Sequence, residues 1–221
     1  MPYRKDILVK DQIYHVFNRG VAGLPIFSGS RDYHRFMDLV DYYRFVDTPT
    51  SYSYFLKLPV SERKLIKKSL VKSQVEILAF CLMTNHFHLL LKQKTDLGIK
   101  TFISKVQNGF AKYYNFKNKR TGPLFQPMFK AVLIETDEQL MHVSRYIHLN
   151  PATGYLVEIK DLSGYPWSSL SSYLDESPGL PLVSSDSLGS LFAEKSKYRE
   201  FVFDQAEYQR ELGKIKHLVL E

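Results

Sequence analysis

The sequence predicts an α+β fold in which a central antiparallel sheet carries helices packed mainly on one face. Three observations lead to this prediction. Predicted elements follow one another over residues 12–150 in the order strand, helix, strand, strand, helix, strand, helix. The two adjacent strands are separated only by Thr84 and Asn85, a spacing typical of a hairpin. The length of 221 residues and the apolar content of 44% suit one domain with one core.

The first part of the chain predicts a strand at residues 12–18, closed by Arg19 and Gly20. Ser30 is a candidate N-cap for a helix over 31–46, in which apolar residues recur at helical spacing. Residues 47–74 contain a short basic helical pattern. We interpret 47–74 as an insertion within the domain.

The hairpin strands are predicted at residues 75–83 and 86–92, followed by a helix over 99–116 and a strand over 125–134. Thr136 and Gln139 form a capping-box pattern that starts the next helix. Because Pro151 disfavours the helical conformation of the residue before it, this helix is predicted to end at residue 149 or 150.

The predicted domain spans residues 1–175. Residues 176–221 form a C-terminal tail with a charged helical pattern over 193–214 and no motif that assigns a role. The tail is therefore expected to be helical, and its role stays open.

The net charge of +7 and the isoelectric point near 9.3 favour a polyanionic partner. Cys81 is the single cysteine, so it forms no internal disulfide and suits a reducing compartment. No apolar run is long enough for a membrane span, and residues 1–6 lack the apolar core of a signal peptide. The expected location is the cytoplasm.

His86 and His88 are separated by one apolar residue in a predicted strand. Alternate side chains of a strand share a face, so the two imidazoles point the same way while Phe87 points to the other layer. Neutral imidazoles bind divalent cations well. The pair is a candidate metal site, and its alternative role is that of two hydrogen-bonded structural histidines.

Tyr146 and Asn150 lie four residues apart on the last predicted helix, so the phenol and the amide share one helix face. Taken alone, this pair is better explained as an aromatic packing residue followed by an asparagine at a helix end than as part of a reactive site. Tyr113 and Tyr114 are competing candidates for a reactive tyrosine, with packing or base stacking as their alternative roles.

Taken together, these segments resemble the single-tyrosine transposases of the IS200/IS605 type, within the HUH endonuclease superfamily. The resemblance is nearest to the REP-associated tyrosine transposases and covers about residues 5 to 175. The matching motifs occur in the family's order: YHVFNRG at 14–20, CLMTNHFH at 81–88, GPLFQ at 122–126, YIHLNP at 146–151 and YPWSS at 165–169.

The resemblance implies an HUH endonuclease fold, with a sheet of the ferredoxin or RRM-like kind. It also implies that Tyr146 is the nucleophile in phosphodiester transesterification, with a 5′-phosphotyrosine intermediate, and that Asn150 is the third metal ligand beside His86 and His88. A hard ion in mostly oxygen surroundings favours Mg²⁺ or Mn²⁺. The implied substrate is single-stranded DNA, at a hairpin or repeated sequence.

A basic, aromatic segment precedes the last strand and combines cations for phosphates with rings for unpaired bases. Its alternative role is that of a core helix with a solvated basic face. The candidate DNA-binding residues, including one on the strand, are Lys105, Lys112, Tyr113, Tyr114, Lys117, Lys119, Arg120 and Lys130.

The predicted function is therefore that of a metal-dependent enzyme that nicks and rejoins single-stranded DNA. The main alternative is a catalytically inactive DNA- or RNA-binding module on the same fold. A homodimer that exchanges the tyrosine helix is a further hypothesis.

Overall fold

A four-stranded antiparallel sheet lies at the centre of the protein, as a computed structural model of the chain describes it. The structure describes residues 7–174, 181–192, 194–207 and 209. The strands are β1 (Ile13–Arg19), β2 (Val75–Leu82), β3 (His86–Gln93) and β4 (Lys130–Ile134). The helices are α1 (Ser30–Tyr43), α2 (Tyr52–Phe55), α3 (Val60–Ser69), α4 (Gly98–Lys117), α5 (Asp137–Thr153), α6 (Asp186–Gly189) and α7 (Lys195–Phe203).

The strand order is β2-β3-β1-β4, which places β1 and β3 at the centre of the sheet. β1 pairs with β3 along its full length, from Ile13 opposite Lys92 to Arg19 opposite His86. Each strand pair is antiparallel. The predicted α+β class and the predicted antiparallel sheet are therefore confirmed.

One face of the sheet is covered by α1 and α4, with α2 at the margin of the same core. Alternate strand residues point into this core: Tyr14, Val16, Phe87, Leu89 and Leu91. Facing helical residues are fully buried there: Phe36, Leu39, Phe102, Val106 and Phe110. Burial of these side chains supplies most of the driving force for this half of the fold.

The opposite face is covered as well, by α5 and by segments that follow it. Leu78, Cys81 and Leu90 of the sheet are buried there with Ile147 of α5 and Val202 of α7. Helices α1, α2 and α4 share the other face, as expected, but α5 and α7 add a second layer. The reason is that β2 is apolar on both faces, and such a strand must be covered on both sides.

Helix α5 begins as predicted, because the Thr136 hydroxyl accepts a hydrogen bond from the backbone N–H of Gln139 at 3.1 Å. The predicted end at residue 149 or 150 is wrong, because α5 continues through Pro151 to Thr153. The last turn persists because the Gly154 amide donates to the Asn150 carbonyl at 2.8 Å, and because the proline is buried. Asn150 therefore lies within the helix.

The last strand is shorter than predicted, since β4 begins at Lys130 while Phe125 forms only an isolated bridge with Gly20. The segment 47–74 contains α2 and α3, and its status as an insertion stays a prediction. The division between residues 1–175 and the tail also stays a prediction, although α7 packs against α5. Parts of the tail, 176–180 and 210–221 among them, lie outside the described residues.

Within the described part of the chain, no helix combines the length and the apolar content that a membrane span requires.

His148 ties α5 to the segments packed on it. Its side chain is fully buried, with Nδ1 2.6 Å from the Tyr198 hydroxyl and Nε2 2.7 Å from the Ser169 hydroxyl. Burial lowers the pKa of His148 to about 3. The imidazole is therefore neutral in the folded protein at pH values where a histidine of the unfolded chain is charged.

This difference predicts a loss of stability in acid. Between pH 6.5 and about 3 the unfolded chain binds a proton at residue 148 that the folded protein does not, so the free energy of unfolding falls as the pH falls. The contribution is about 1.4 kcal/mol per pH unit. We therefore expect the free energy of unfolding of His148→Gln to fall less steeply between pH 6.5 and 4.5 than that of the parent protein. Urea unfolding at a series of pH values measures both.

The matched control is His142→Gln, because the His142 side chain lies on the same helix and is 51% exposed. Its stability should fall with pH as steeply as that of the parent protein. If the free energy of unfolding fell equally steeply with pH in His148→Gln and in the parent protein, the lowered pKa of His148 would be contradicted.

Candidate active site

His86 and His88 lie at the start of β3 and point to the face of the sheet that α5 covers. Phe87 between them is fully buried in the core on the opposite face. The imidazole ring centroids of the pair are 5.0 Å apart and the rings are nearly perpendicular. The alternation predicted from the sequence therefore holds, and both rings face one cleft.

His86 is oriented by the residue before it. Its Nδ1 lies 2.6 Å from the Asn85 side-chain oxygen, while the Asn85 amide nitrogen donates to the Gly23 carbonyl at 3.1 Å. Because an amide oxygen only accepts, His86 Nδ1 carries the proton, and Nε2 presents its lone pair. Such a contact fixes both the tautomer and the ring orientation of a metal ligand.

His88 is more deeply buried, at 4% exposure, and His15 of β1 supports it. Its Nδ1 lies 2.9 Å from His15 Nε2. His88 Nε2 is buried and has no hydrogen-bond partner among the described residues. When Nδ1 donates to His15, the Nε2 lone pair is free, and a buried polar atom of this kind calls for a ligand.

Burial keeps these three imidazoles neutral. It lowers the pKa values of His15 and His86 to about 4 and that of His88 well below the usual range. The Arg19 charge contributes to the lowering at His86. At neutral pH the rings therefore do not have to lose a proton before they bind a cation.

Tyr146 and Asn150 of α5 lie over the same cleft. The Tyr146 ring is 5.5 Å from the His88 ring and 5.9 Å from the His15 ring, and the side chain is 46% exposed. The Asn150 amide nitrogen donates to the Tyr146 carbonyl at 2.7 Å, which leaves its side-chain oxygen as the candidate ligand atom. Asn150 also contacts the His86 and Tyr146 side chains.

The environment makes the Tyr146 phenol a weaker acid than usual. Burial raises its pKa, and the hydrogen bond with Asn150 opposes part of that rise. A phenol in this state needs help to develop negative charge on its oxygen.

The cleft has a volume of about 470 Å³ and is open to solvent. Arg19 and Lys130 contribute positive charge to its lining, and Asn18 and Gln126 contribute amides. The Lys130 ammonium lies 5.9 Å from the ring of Phe17. The cleft thus combines cations and aromatic surface beside the histidine pair.

The predicted DNA-binding residues do not form one surface. Lys130 lines the cleft, whereas Lys105 and Lys112 line a separate groove along α4. The Lys117 ammonium and the Tyr113 hydroxyl both bind the buried carboxylate of Asp32, at 2.6 and 2.9 Å.

The other predicted residues lie at the C-terminal end of α4. The Tyr114 hydroxyl donates to the Pro25 carbonyl at 3.2 Å. Arg120 donates to the Pro123 carbonyl at 3.0 Å and lies near the Tyr114 ring. Lys119 adopts a left-handed backbone conformation just after the helix. The DNA-binding roles of all eight residues stay predictions.

Three residues at the site were not predicted to act there: His15, Asn85 and Arg19. His15 and Arg19 stand two positions either side of Phe17 on β1, so a period-two pattern places them on the cleft face. Their distance from His86 and His88 depends on the pairing of β1 with β3, which the motifs do not specify. Asn85 is adjacent to His86, but only the turn conformation directs its side chain to the ring.

The part of the chain that the structure describes contains no group of three or more His, Cys, Asp and Glu side chains that could hold a metal ion. The candidate set here is different in kind, since it consists of two imidazoles and one amide oxygen. Such a set leaves several coordination positions for a substrate and water.

Comparison with known proteins supports the sequence prediction. A family model described as "Transposase IS200 like" matches residues 42–150. Among solved structures, a REP-associated tyrosine transposase bound to a REP hairpin is similar to this chain, with a TM-score of 0.51 and 15% sequence identity. That match covers 76% of this chain and 82% of the other. No curated protein sequence matches the chain.

The family match includes β3 with its histidine pair and α5 as far as Asn150, which are two of the elements that build the cleft. The solved structure shares the overall fold. The family predicted from the ordered motifs is confirmed by this match, in which residues 42–150 fit the IS200-like transposases.

Proposed function

We propose that the protein is a metal-dependent endonuclease and strand transferase that acts on single-stranded DNA through Tyr146. The observation that carries the proposal is that Tyr146, His86 and His88 line one cleft of a single chain and that Asn150 contacts both Tyr146 and His86. Family membership supports the same chemistry, because transposases cut and join DNA.

The residues of the cleft fit a divalent cation, either Mg²⁺ or Mn²⁺. His88 Nε2 is a buried atom that lacks a partner among the described residues, and His86 Nε2 is the unprotonated nitrogen. The Asn150 amide nitrogen binds the Tyr146 carbonyl, so the side-chain oxygen is the atom that would act as the third ligand. When bound, the cation would polarise the scissile phosphate and stabilise its developing charge. Asn85 and His15 hold the two rings in orientation for this role.

In the proposed reaction the Tyr146 oxygen attacks the phosphorus, and the bond to the 3′-oxygen breaks. The products are a 5′-phosphotyrosine link and a free 3′-hydroxyl, which takes up the equivalent of the phenol proton. Attack by another 3′-hydroxyl reverses the step and joins the strand. Asn150 positions the phenol, and its hydrogen bond favours the charged form of the oxygen.

The proposed substrate is a single-stranded segment beside a hairpin or repeat. The similar solved structure contains a REP hairpin, and the cleft of this chain presents an exposed tyrosine beside Lys130 and Arg19. Unpaired bases stack on aromatic rings while cations contact the phosphates. Association with the nucleoid follows from the same proposal.

Metal binding is the first prediction. The parent protein should bind Mn²⁺ in calorimetric titration, and His88→Ala should weaken binding by at least about 10-fold because it removes the most buried ligand. His142→Ala is the control, since His142 lies outside the cleft, and it should bind like the parent. Unchanged affinity in His88→Ala would contradict the proposed ligand set.

Covalent attachment is the second prediction. With Mn²⁺, labelled hairpins from the DNA flanking the gene should yield a protein-linked fragment in denaturing electrophoresis. Tyr146→Phe should abolish that fragment because it removes only the attacking oxygen. Tyr114→Phe, which removes the hydroxyl of a competing candidate, should leave it unchanged.

Tight, salt-sensitive binding without an adduct, while a known nicking relative cuts its own substrate, would favour the catalytically inactive binding module. An adduct that survives in Tyr146→Phe would place the nucleophile elsewhere.

The third prediction concerns the source of the tyrosine. Because the Tyr146 ring lies 5.5 Å from the His88 ring of its own chain, we expect a self-contained site, with or without a homodimer. Mixing Tyr146→Phe chains with His86→Ala chains should therefore leave the adduct undetected in the same electrophoresis. Recovered adduct would instead show that Tyr146 acts on the histidines of a partner in an exchanged dimer.

A further inference from the structure

Arg19 is the last residue of β1 and lies beside the histidine pair. It stands directly opposite His86 in the pairing of β1 with β3. Directly opposite residues of an antiparallel pair project from the same face of the sheet, with Cβ atoms about 5 Å apart. The Arg19 side chain therefore projects into the cleft as the neighbour of His86, and it is exposed there.

The backbone of Arg19 is fixed on both sides. Its N–H donates to the Asn18 side-chain oxygen at 2.8 Å, and its carbonyl accepts from the Gln126 N–H at 2.9 Å. The N–H of the next residue, Gly20, donates to the Asn85 carbonyl at 2.8 Å. These bonds connect the end of β1 to the turn before His86, so the fold sets the position of Arg19.

The Arg19 guanidinium lies at the end of a short series of contacts that leads to His86. A Cβ atom added to Gly23 would be 3.5 Å from Arg19 Nη2. The Gly23 carbonyl accepts a hydrogen bond from the Asn85 side chain, whose oxygen lies 2.6 Å from His86 Nδ1. The pKa of His86 is lowered mainly by burial and in part by the Arg19 charge. The guanidinium therefore acts electrostatically on the histidine pair.

This guanidinium has no hydrogen-bond or ion-pair partner within the described part of the chain. The guanidinium groups of several other arginines do have partners: Arg35, Arg44, Arg120 and Arg145. Among the described residues, no Asp or Glu lines the cleft. A guanidinium presents its N–H donors in a planar fork that matches phosphate oxygens. The fork of Arg19 is therefore available to an anionic ligand in the cleft.

Arg19 and Tyr146 lie at different ends of the histidine pair. On β1, Arg19 is opposite His86, whereas His15 lies four residues earlier, beyond the position opposite His88. The Tyr146 ring is 5.9 Å from the His15 ring and 5.5 Å from the His88 ring. The phenol is therefore at the His15 end of the pair and the guanidinium is at the His86 end.

Lys130, the other cation of the cleft, is less suited to a role at the histidine pair. It lies on β4 opposite Phe17, so it is one strand farther from β3 than Arg19 is. Its ammonium lies 5.9 Å from the Phe17 ring. A lysine also presents a point charge without a planar fork. Arg19 is therefore the cation that the sheet places beside the pair.

We propose that Arg19 is a further catalytic residue, whose guanidinium binds a non-bridging oxygen of the scissile phosphate. The inference rests on the proposed function and deepens it, because it assigns a role in the reaction to one cation of the cleft. The charge on the phosphate oxygens changes while the Tyr146 oxygen attacks and the bond to the 3′-oxygen breaks. A positioned cation stabilises that charge without forming a covalent bond or giving up a proton.

The first test measures the rate of adduct formation on the labelled hairpin at saturating DNA and Mn²⁺. Arg19→Ala should react at least about 100-fold more slowly than the parent protein, a loss typical of removing one positioned donor. Arg19→Lys should recover part of the rate, because lysine keeps the charge but not the fork. The matched control is Arg31→Ala, which removes an exposed arginine from α1 on the opposite face of the sheet and should react like the parent.

The second test measures the contact itself in the Tyr146→Phe background, which prevents cleavage. Anisotropy with Mn²⁺ compares the labelled hairpin with the same DNA carrying a methylphosphonate at the mapped cut site, with the two diastereomers separated. On the natural DNA, Arg19→Ala should weaken binding about 10-fold, the value for a hydrogen bond to a charged group. On the diastereomer that lacks the oxygen bound by Arg19, the same substitution should have little effect.

An equal loss of affinity on the natural DNA and on both diastereomers would overturn the proposal, and so would no loss on any of them. The metal site gives a further readout. Because Arg19→Ala removes a positive charge beside His86, calorimetric titration should show Mn²⁺ binding at least as tight as in the parent protein. Weaker Mn²⁺ binding would trace the slow reaction to the metal site and overturn the proposal.

The outcomes also separate this proposal from the first. If the parent protein forms no adduct, the nicking proposal fails, and the catalytic role of Arg19 fails with it. If the parent forms the adduct and Arg19→Ala forms it equally fast, the role of Arg19 alone is refuted.

Discussion

The antiparallel pairing of β1 with β3 is the constraint on which the rest of the structure depends. It sets Arg19 opposite His86 and Phe17 opposite His88 at the centre of the sheet. A shift of one residue would exchange the faces of one strand and send His15 and Arg19 into the apolar core. The same register of β1 against β3 therefore produces both the apolar core on the α4 face and the polar cleft on the α5 face.

The second requirement is that α5 stays at a fixed position over the histidine pair. The helix carries Tyr146 and Asn150 on the cleft side, while Ile147 and His148 are buried. His148 forms hydrogen bonds with both Ser169 and Tyr198, so segments distant in sequence fix the position of α5. Apolar packing and a buried polar network thus act together where the proposed chemistry needs rigidity.

The electrostatics of the cleft follow from the same burial. Desolvation lowers the pKa of His86 and His88 and raises that of Tyr146, so histidines and phenol are all neutral at rest. Neutral imidazoles are ready to bind a cation, and a neutral phenol does not react without one. The arrangement would couple the reactivity of the tyrosine to occupation of the site.

The sequence by itself determined the α+β class, the His86 and His88 alternation, the capped start of α5 and the family, because these depend on local spacing and ordered motifs. It failed at the end of α5, where a local rule about Pro151 was overridden by burial and by the Gly154 hydrogen bond. Only the tertiary structure decided which side chains support the pair. His15 lies 73 positions from His88, and strand register, a non-local property, brings them to 2.9 Å. The ion pair between Lys117 and the buried Asp32 also depends on tertiary structure, because only the packing of α1 on α4 brings the two side chains together.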